Sequence, residues 1–100
     1  MDLNFFKQAR VLDGGMGQEL LARGMKPNGT LWSANAILND NYHQLLLDTH
    51  RDFVKAGAEV IVTTTFTTRR KRLKENNIED KFEYLNKKAG EIAQEVKKEF

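Results

Sequence analysis

The chain has 100 residues, of which 40% are hydrophobic and 30% are charged, and its formal net charge is +2. A chain of this length holds at most one small domain. The composition is sufficient for a core and differs from that of a disordered tail. The charge is too small to indicate a nucleic-acid partner by itself. Cysteine is absent, which excludes a disulfide, a thiolate nucleophile and a cysteine-ligated zinc site within the chain.

The amino-terminal segment contains an early acid and no apolar run of signal length. No later stretch approaches the roughly 18 apolar residues that a membrane helix requires. The sequence therefore predicts a cytoplasmic protein with no membrane partner.

The first predicted element is a strand at Val11-Leu12, which ends in the tight turn of Gly14-Gly15. Residues 18–23 predict a short helix that Gly24 stops. A loop with the only proline and an Asn-Gly pair follows at residues 25–30.

A brief helix is predicted next, capped by Ser33 and reaching Leu38. The clearest helix follows, with polar residues 39–41 at its start and Gly57 just past its end. Its apolar positions recur at helical spacing and are expected to pack against a sheet: Tyr42, Leu46, Thr49, Phe53 and Ala56.

The second predicted strand covers residues 59–66, a β-branched run without alternation. This pattern is typical of a strand buried on both faces, as in parallel sheets covered by helices. A basic stretch at residues 69–74 predicts the start of another helix, and Asn76-Asn77 separates it from a last helix beginning near Glu79 or Asp80. That helix has an apolar stripe of Phe82, Leu85, Ala89, Ile92, Val96 and Phe100. The predicted fold class is therefore α/β, with two parallel strands joined in a right-handed βαβ unit.

Asp13, Gly14 and Gly15 lie where the first predicted strand ends, the edge at which α/β folds bind ligands. Glycine N–H groups at this edge suit a carboxylate or phosphate. The dinucleotide fingerprint fails, because Leu20 stands where its third glycine belongs, and the phosphate-loop lysine is also missing. A tight turn that requires glycine for geometry alone remains the alternative reading.

Thr63, Thr64 and Thr65 end the second predicted strand at the same edge. Alternate hydroxyls, those of Thr63 and Thr65, would point into a pocket beside Asp13. Strand propensity explains threonine equally well.

Other candidates favour structural roles. His43 and His50 are not spaced as a metal pair. Glu19 suits the first turn of a helix, although it could also act as an acid or base. Trp32 is either a core anchor or a pocket wall. The basic residues 69–74 could bind phosphate, but a solvated helix face is favoured because no aromatic platform is interleaved with them.

Three blocks in order resemble the homocysteine S-methyltransferase family. They are LDGGMGQEL at residues 12–20, LWSA at 31–34 and HRDFVKAGAEVI at 50–61. The resemblance runs from about Val11 to Phe66 and covers over half of the chain.

The resemblance implies a (β/α)8 TIM-type barrel, of which this chain would be an amino-terminal fragment with two parallel strands and flanking helices. It implies that homocysteine binds at the carboxyl ends of the strands with its sulfur on zinc, which keeps the thiol deprotonated. The thiolate then takes a methyl group from a sulfonium, quaternary amine or folate donor, and methionine forms. The chain would thus belong to an enzyme of methionine biosynthesis that transfers one-carbon groups.

By position, Asp13, Gly14 and Gly15 match the family's first-strand loop, whose backbone holds the amino-acid end of homocysteine. Thr63 and Thr65 match its second-strand site, and Trp32 falls in the loop that walls the methyl-donor side. None of these positions is catalytic. The resemblance places the zinc ligands on cysteines of late strands, so this chain cannot bind zinc in that way and supplies no metal ligand.

The sequence also departs from the family after Phe66, where residues 67–70 bring charge in place of small residues. A barrel needs about 250 residues to close. We therefore expect residues 1–100 to form a partial homocysteine-binding domain, truncated before the third strand and inactive alone. The alternatives are one half of a split enzyme, completed by a second chain, or a small basic binding protein, which a steep salt dependence of RNA binding would reveal. A nucleic-acid partner is not favoured.

Overall fold

The computed structural model describes residues 3–100. Met1 and Asp2 lie outside the described residues, and Asp2 is the early acid of the localisation argument. Within residues 3–100 there is no helix long and apolar enough to cross a membrane. The cytoplasmic location stays a prediction.

Helices account for the regular structure of the described residues. Short 3-10 turns cover Leu3–Lys7, Trp32–Ala34, Asp40–Tyr42 and Glu79–Lys81. The α-helices are α1 (Met16–Ala22), α2 (Asn35–Leu38), α3 (His43–Lys55), α4 (Arg70–Glu75) and α5 (Phe82–Glu99).

The prediction of an α/β fragment with two parallel strands is wrong for this structure. Residues 3–100 contain no strand and no sheet, and the two segments predicted as strands meet at one isolated parallel bridge between Leu12 and Val60. The carbonyl of Val11 accepts hydrogen bonds from the N–H groups of Glu59 and Val60, at 2.7 and 3.2 Å. The N–H of Asp13 in turn donates to the carbonyl of Val60 at 3.1 Å.

The pairing stops because a side chain replaces the next backbone partner. The N–H of Val62 donates to Oδ2 of Asp13, at 3.0 Å, instead of to a backbone carbonyl. Beyond it the chain folds into a tight turn, in which the N–H of Thr65 donates to the carbonyl of Thr63 at 2.8 Å. Parallel strands are stable when helices cover both faces of a sheet, whereas Leu12 and Val62 here are 58% and 56% exposed. The β-branched residues 59–66 suit a buried strand. Such a strand also requires adjacent strands and covering helices, which the local sequence pattern does not specify.

The helix predictions are confirmed, with shifts at their ends. Gly24 and Gly57 follow α1 and α3 with φ of +106° and +120°, a backbone conformation that favours glycine. Asn39 caps the turn before α3, since its Oδ1 accepts from the N–H of Asn41 at 3.0 Å. Ser33, by contrast, caps no helix with its side chain. It lies buried within the 3-10 turn that precedes α2.

The core lies among helices rather than between helices and a sheet. α3 packs against α5, and α1 and α2 pack against α3. The buried apolar side chains include Leu20, Leu31, Ile37, Leu46, Leu73, Leu85, Ile92 and Val96. Each side chain of this size stabilises the fold by about 1.5–3 kcal/mol when it is fully buried. The predicted stripe of α5 is therefore correct except at its end, because Phe100 is 65% exposed.

Candidate functional site

Asp13 holds the two bridging segments together at their carboxyl ends. Its N–H donates to Val60, and its carboxylate accepts from the N–H of Val62. The side chain is half-buried. The hydrogen bond from Val62 gives Oδ2 of Asp13 a structural role. The other carboxylate oxygen, Oδ1, accepts no hydrogen bond from the described residues.

Gly14 and Gly15 lead from Asp13 into α1. A Cβ on Gly14 would lie 3.0 Å from Cε1 of Phe53, so an added side chain would force that ring of α3 to shift. A Cβ on Gly15 would meet only Gln18, at ordinary contact distance. Among the described residues, none accepts a hydrogen bond from the N–H of Gly14 or Gly15. Packing against Phe53 therefore accounts for glycine at position 14. The N–H groups of Gly14 and Gly15 stay available as hydrogen-bond donors beside Asp13.

Thr63 and Thr65 point their hydroxyls to the same side, with their Oγ1 atoms 3.1 Å apart. Thr63 is exposed and Thr65 is half-buried, whereas Thr64 between them is 4% exposed. This alternation was expected from a strand, but here a tight turn produces it. The hydroxyl pair follows directly after Val62, whose N–H is bonded to Asp13.

Trp32 is held in an unusual backbone conformation. Its φ is +52°, in the left-handed region that residues other than glycine seldom adopt, and its side chain is 58% exposed. Thr67 fixes the turn on both sides of it, because Oγ1 of Thr67 donates to the carbonyl of Leu31 and accepts from the N–H of Ala34. The indole lies beside α1, with Cε3 3.7 Å from the position of a Cβ on Gly17.

The predicted site residues lie close to one another along the chain's contacts. Asp13 bonds to Val62, which directly precedes the threonine turn of residues 63–65, and the indole of Trp32 lies beside Gly17, two residues after the glycine segment of Gly14 and Gly15. The individual roles of Asp13, Gly14, Gly15, Thr63, Thr65 and Trp32 stay predictions. Thr67 was missed as a residue that shapes this edge, and its sequence context, a polar run before arginines, carries no signal of its two backbone contacts.

The histidines and Glu19 have structural contacts. Nε2 of His43 donates to the carbonyl of Ile37 at 2.7 Å, which anchors the start of α3. Glu19 lies in the first turn of α1 and pairs with Arg23 at 3.0 Å. His50 is completely buried, and burial lowers its pKa, against the smaller opposing effect of the Asp13 carboxylate.

The basic residues 69–74 are largely engaged within the chain. The guanidinium of Arg70 stacks 4.1 Å from the ring centre of Phe82, and that of Arg69 lies 5.6 Å from the ring centre of Phe66. Arg72 donates to the carbonyl of Thr30 at 3.2 Å. Aromatic rings therefore flank the cluster, although none lies within it.

The residues of this chain do not fit a zinc site. Cysteine is absent from the sequence, and residues 3–100 contain no group of three or more histidine, aspartate or glutamate side chains that could hold a metal ion.

The sequence model of one family, homocysteine S-methyltransferase, matches residues 10–100. The chain belongs to the homocysteine S-methyltransferase family. Homocysteine S-methyltransferase 2 of Saccharomyces cerevisiae is 35% identical over an alignment 78 positions long, which covers 70% of this chain and 24% of the yeast protein. Homocysteine S-methyltransferase 2 of Zea mays is 34% identical over 91 residues, 90% of this chain and 26% of that protein.

A relative that is named for a different amino acid covers the same share of this chain. Selenocysteine methyltransferase of Astragalus bisulcatus is 32% identical over 91 residues, 90% of this chain and 26% of the relative. The chain thus spans about a quarter of the length of these methyltransferases. The family match extends beyond Phe66 to the end of α5, further than the three sequence blocks indicated.

Proposed function

We propose that this chain supplies the amino-acid-binding edge of an enzyme that transfers a methyl group to homocysteine and forms methionine. The family match supports the reaction class. One observation carries the proposal. The carboxylate of Asp13 accepts a hydrogen bond from the N–H of Val62, which brings the start of the threonine turn close to the glycine segment that follows Asp13.

Each group at this edge suits one part of an amino acid. The free N–H groups of Gly14 and Gly15 can donate to the α-carboxylate of homocysteine. The unpaired oxygen of Asp13 can accept from its α-ammonium group. The hydroxyls of Thr63 and Thr65 lie at the neighbouring position and can orient the side chain that carries sulfur. Trp32 offers an exposed indole face, which attracts a cationic sulfonium or quaternary ammonium donor.

The reaction is a displacement at the methyl carbon. The thiolate sulfur of homocysteine forms the new bond to the methyl carbon, while the bond between that carbon and the donor's heteroatom breaks and its electron pair leaves with the donor. The thiol proton passes to solvent. Residues of this chain contribute by orienting the two substrates, which lowers the entropic part of the barrier.

We also propose that residues corresponding to the remaining three quarters of the relatives complete the enzyme and supply the zinc ligands, either in the same polypeptide or in a second one. A groove of about 960 Å³ runs between residues 58–63 and the second half of α5. It is partly apolar, with Val54, Val60, Ile61, Ala93 and Phe100 among its lining residues. Such a groove suits further packed polypeptide.

Homocysteine binding by the 100-residue chain tests the role of the edge. Isotope-labelled chain is titrated with homocysteine, and amide shifts are followed by NMR. We expect changes concentrated at residues 13–15 and 62–65, and a weaker apparent affinity when Thr63→Val and Thr65→Val are combined. The control is Thr30→Val, because the hydroxyl of Thr30 contacts Asn76 instead of the edge.

The same titration can contradict the proposal. Absence of shifts at residues 13–15 and 62–65, with saturating homocysteine and a folded chain, would remove this assignment. Equal losses in the double variant and the Thr30 control would show that the hydroxyls of the turn are not specific contacts.

A further inference from the structure

His50 is a buried polar group that the proposed chemistry does not use. It lies in the middle of α3, 0% exposed, and its Nδ1 has no hydrogen-bond partner among the described residues. Its Nε2 faces Oγ1 of Thr64 at 3.5 Å. Burying a polar atom without a partner destabilises a fold, so a residue that tolerates this cost needs a reason to be there.

Thr64 connects His50 to the candidate site. It is the buried middle residue of the turn whose outer members, Thr63 and Thr65, carry the paired hydroxyls. Among the described residues, the contact between His50 and Thr64 is the single hydrogen-bond contact between α3 and residues 63–65. On the other side of the turn, the N–H of Thr68 donates to the carbonyl of Thr65 at 3.3 Å, and the hydroxyl of Thr68 donates to Oδ1 of Asn86 at 2.7 Å.

The charge of His50 follows from its surroundings. Burial lowers its pKa, which favours the neutral ring at neutral pH. Either tautomer of the neutral ring makes the contact with Thr64, because Nε2 donates to Oγ1 when it carries the proton and accepts from the hydroxyl when Nδ1 carries it.

We propose that His50 is a positioning residue, whose neutral imidazole holds Thr64 and thereby orients the hydroxyls of Thr63 and Thr65 at the edge beside Asp13. The identity of the ligand at this edge rests on the proposed function, but the positioning is a property of the free chain. The 3.5 Å contact is long for a hydrogen bond.

Three variants separate positioning from folding. His50→Leu replaces the ring by an apolar side chain and removes the contact with Thr64. His50→Gln keeps an amide donor near the position of Nε2. Thr64→Val removes the hydroxyl at nearly constant volume. Each is compared with the original chain by hydrogen exchange and amide shifts of residues 63–65, and by the apparent affinity for homocysteine.

Positioning predicts a specific pattern. His50→Leu and Thr64→Val shift the amides of residues 63–65 and accelerate exchange of the Thr65 amide, whose N–H donates to the carbonyl of Thr63, while the core amides of α3 and α5 keep their protection. Homocysteine affinity falls about fivefold in each, the effect of losing one hydrogen bond. The double variant is no worse than either single one, because both remove the same contact. His50→Gln retains most of the affinity.

The free-chain measurement keeps this inference separate from the proposed function. If residues 63–65 respond as described but the original chain binds no homocysteine, the positioning stands and the proposed ligand fails. If His50→Leu leaves the amides of residues 63–65 unchanged in a folded chain, or if the two single variants add independently, the positioning role is overturned.

Discussion

Gly14 and Gly15 are adjacent, yet they lack a side chain for different reasons. The ring of Phe53 approaches Gly14 so closely that a Cβ would lie 3.0 Å from Cε1, whereas a Cβ on Gly15 would contact only Gln18 at 3.7 Å. Gly15 also has φ of −70°, which any residue can adopt. The sequence left open whether this pair is a tight turn or a ligand loop. The contacts give a packing reason for glycine at position 14 and none at position 15.

The substitution Gly14→Ala should therefore destabilise the chain, by about 1–3 kcal/mol, because the added methyl group forces Phe53 or the backbone to move. Gly15→Ala is the matched control, with an expected gain of up to about 1 kcal/mol from lower entropy of the unfolded chain. Urea denaturation of the two variants measures both. Equal stability of the two would show that Phe53 does not constrain Gly14.

His50 gives the chain a dependence on pH that can be isolated. Burial lowers its pKa from the ordinary value of 6.5, so below that pH the unfolded chain binds a proton that the folded chain refuses. Stability is therefore fully present above about 6.5 and falls as the pH decreases toward the lowered pKa, by at most about 1.4 kcal/mol per pH unit.

Denaturation of the original chain and of His50→Leu at a series of pH values tests this linkage. The difference between the two profiles should be flat above pH 6.5 and should change below it. The comparison cancels the pH dependence of all other groups, which both proteins retain. A constant difference between the two proteins at all pH values would mean that His50 titrates alike in both states.

Helices and strands differed in how far the sequence could predict them. The positions of α3 and α5 follow from local signals, namely apolar spacing and flanking turn residues such as Gly57. The second strand was predicted from an equally clear local pattern, but a parallel strand depends on neighbours that are distant in sequence. Asp13 shows the limit well, since its carboxylate takes the N–H that the next rung of a ladder would require.

The turn that presents Trp32 depends on one distant hydroxyl. Thr67→Val removes the group that contacts Leu31 and Ala34. We expect a loss of about 0.5–1.5 kcal/mol, the net contribution of a hydrogen bond, because the N–H of Ala34 and the carbonyl of Leu31 still bond to each other at 3.0 Å.

The sole tryptophan of the sequence makes this change visible by fluorescence. Thr67→Val should alter the emission maximum and the iodide quenching of Trp32 under conditions where the chain stays folded. Thr67→Ser keeps the hydroxyl and should preserve the original emission. Unchanged emission in both variants would show that the hydroxyl of Thr67 does not determine the environment of Trp32.

At the scale of the whole molecule, an ion pair joins helices that are far apart in sequence. The guanidinium of Arg51 in α3 donates to both carboxylate oxygens of Glu99 at the end of α5, each at 2.7 Å. This bidentate geometry is the strongest arrangement of such a pair. The second half of α5 lines the groove beside residues 58–63. The pair between Arg51 and Glu99 therefore also holds that side of the groove in place.

The hydrogen bonds from Arg51 hold the pKa of Glu99 below its ordinary value of 4.5. The pair therefore stabilises the end of α5 fully above that pH, and the contribution is lost as the pH falls through the lowered pKa. The protection factors of amides in the last turn of α5, which correct for the intrinsic pH dependence of hydrogen exchange, should fall over this acidic range, and Glu99→Gln should show the lower protection already at neutral pH.

Glu95→Gln provides the comparison, since Glu95 is an exposed acid of the same helix with no ion pair among the described residues. It should leave exchange near the original rate. High salt should weaken the contrast, because both partners of the Arg51 pair are partly exposed. If Glu99→Gln and Glu95→Gln exchange alike, the pair does not hold α5 against α3, and packing of buried residues such as Val96 carries that contact alone.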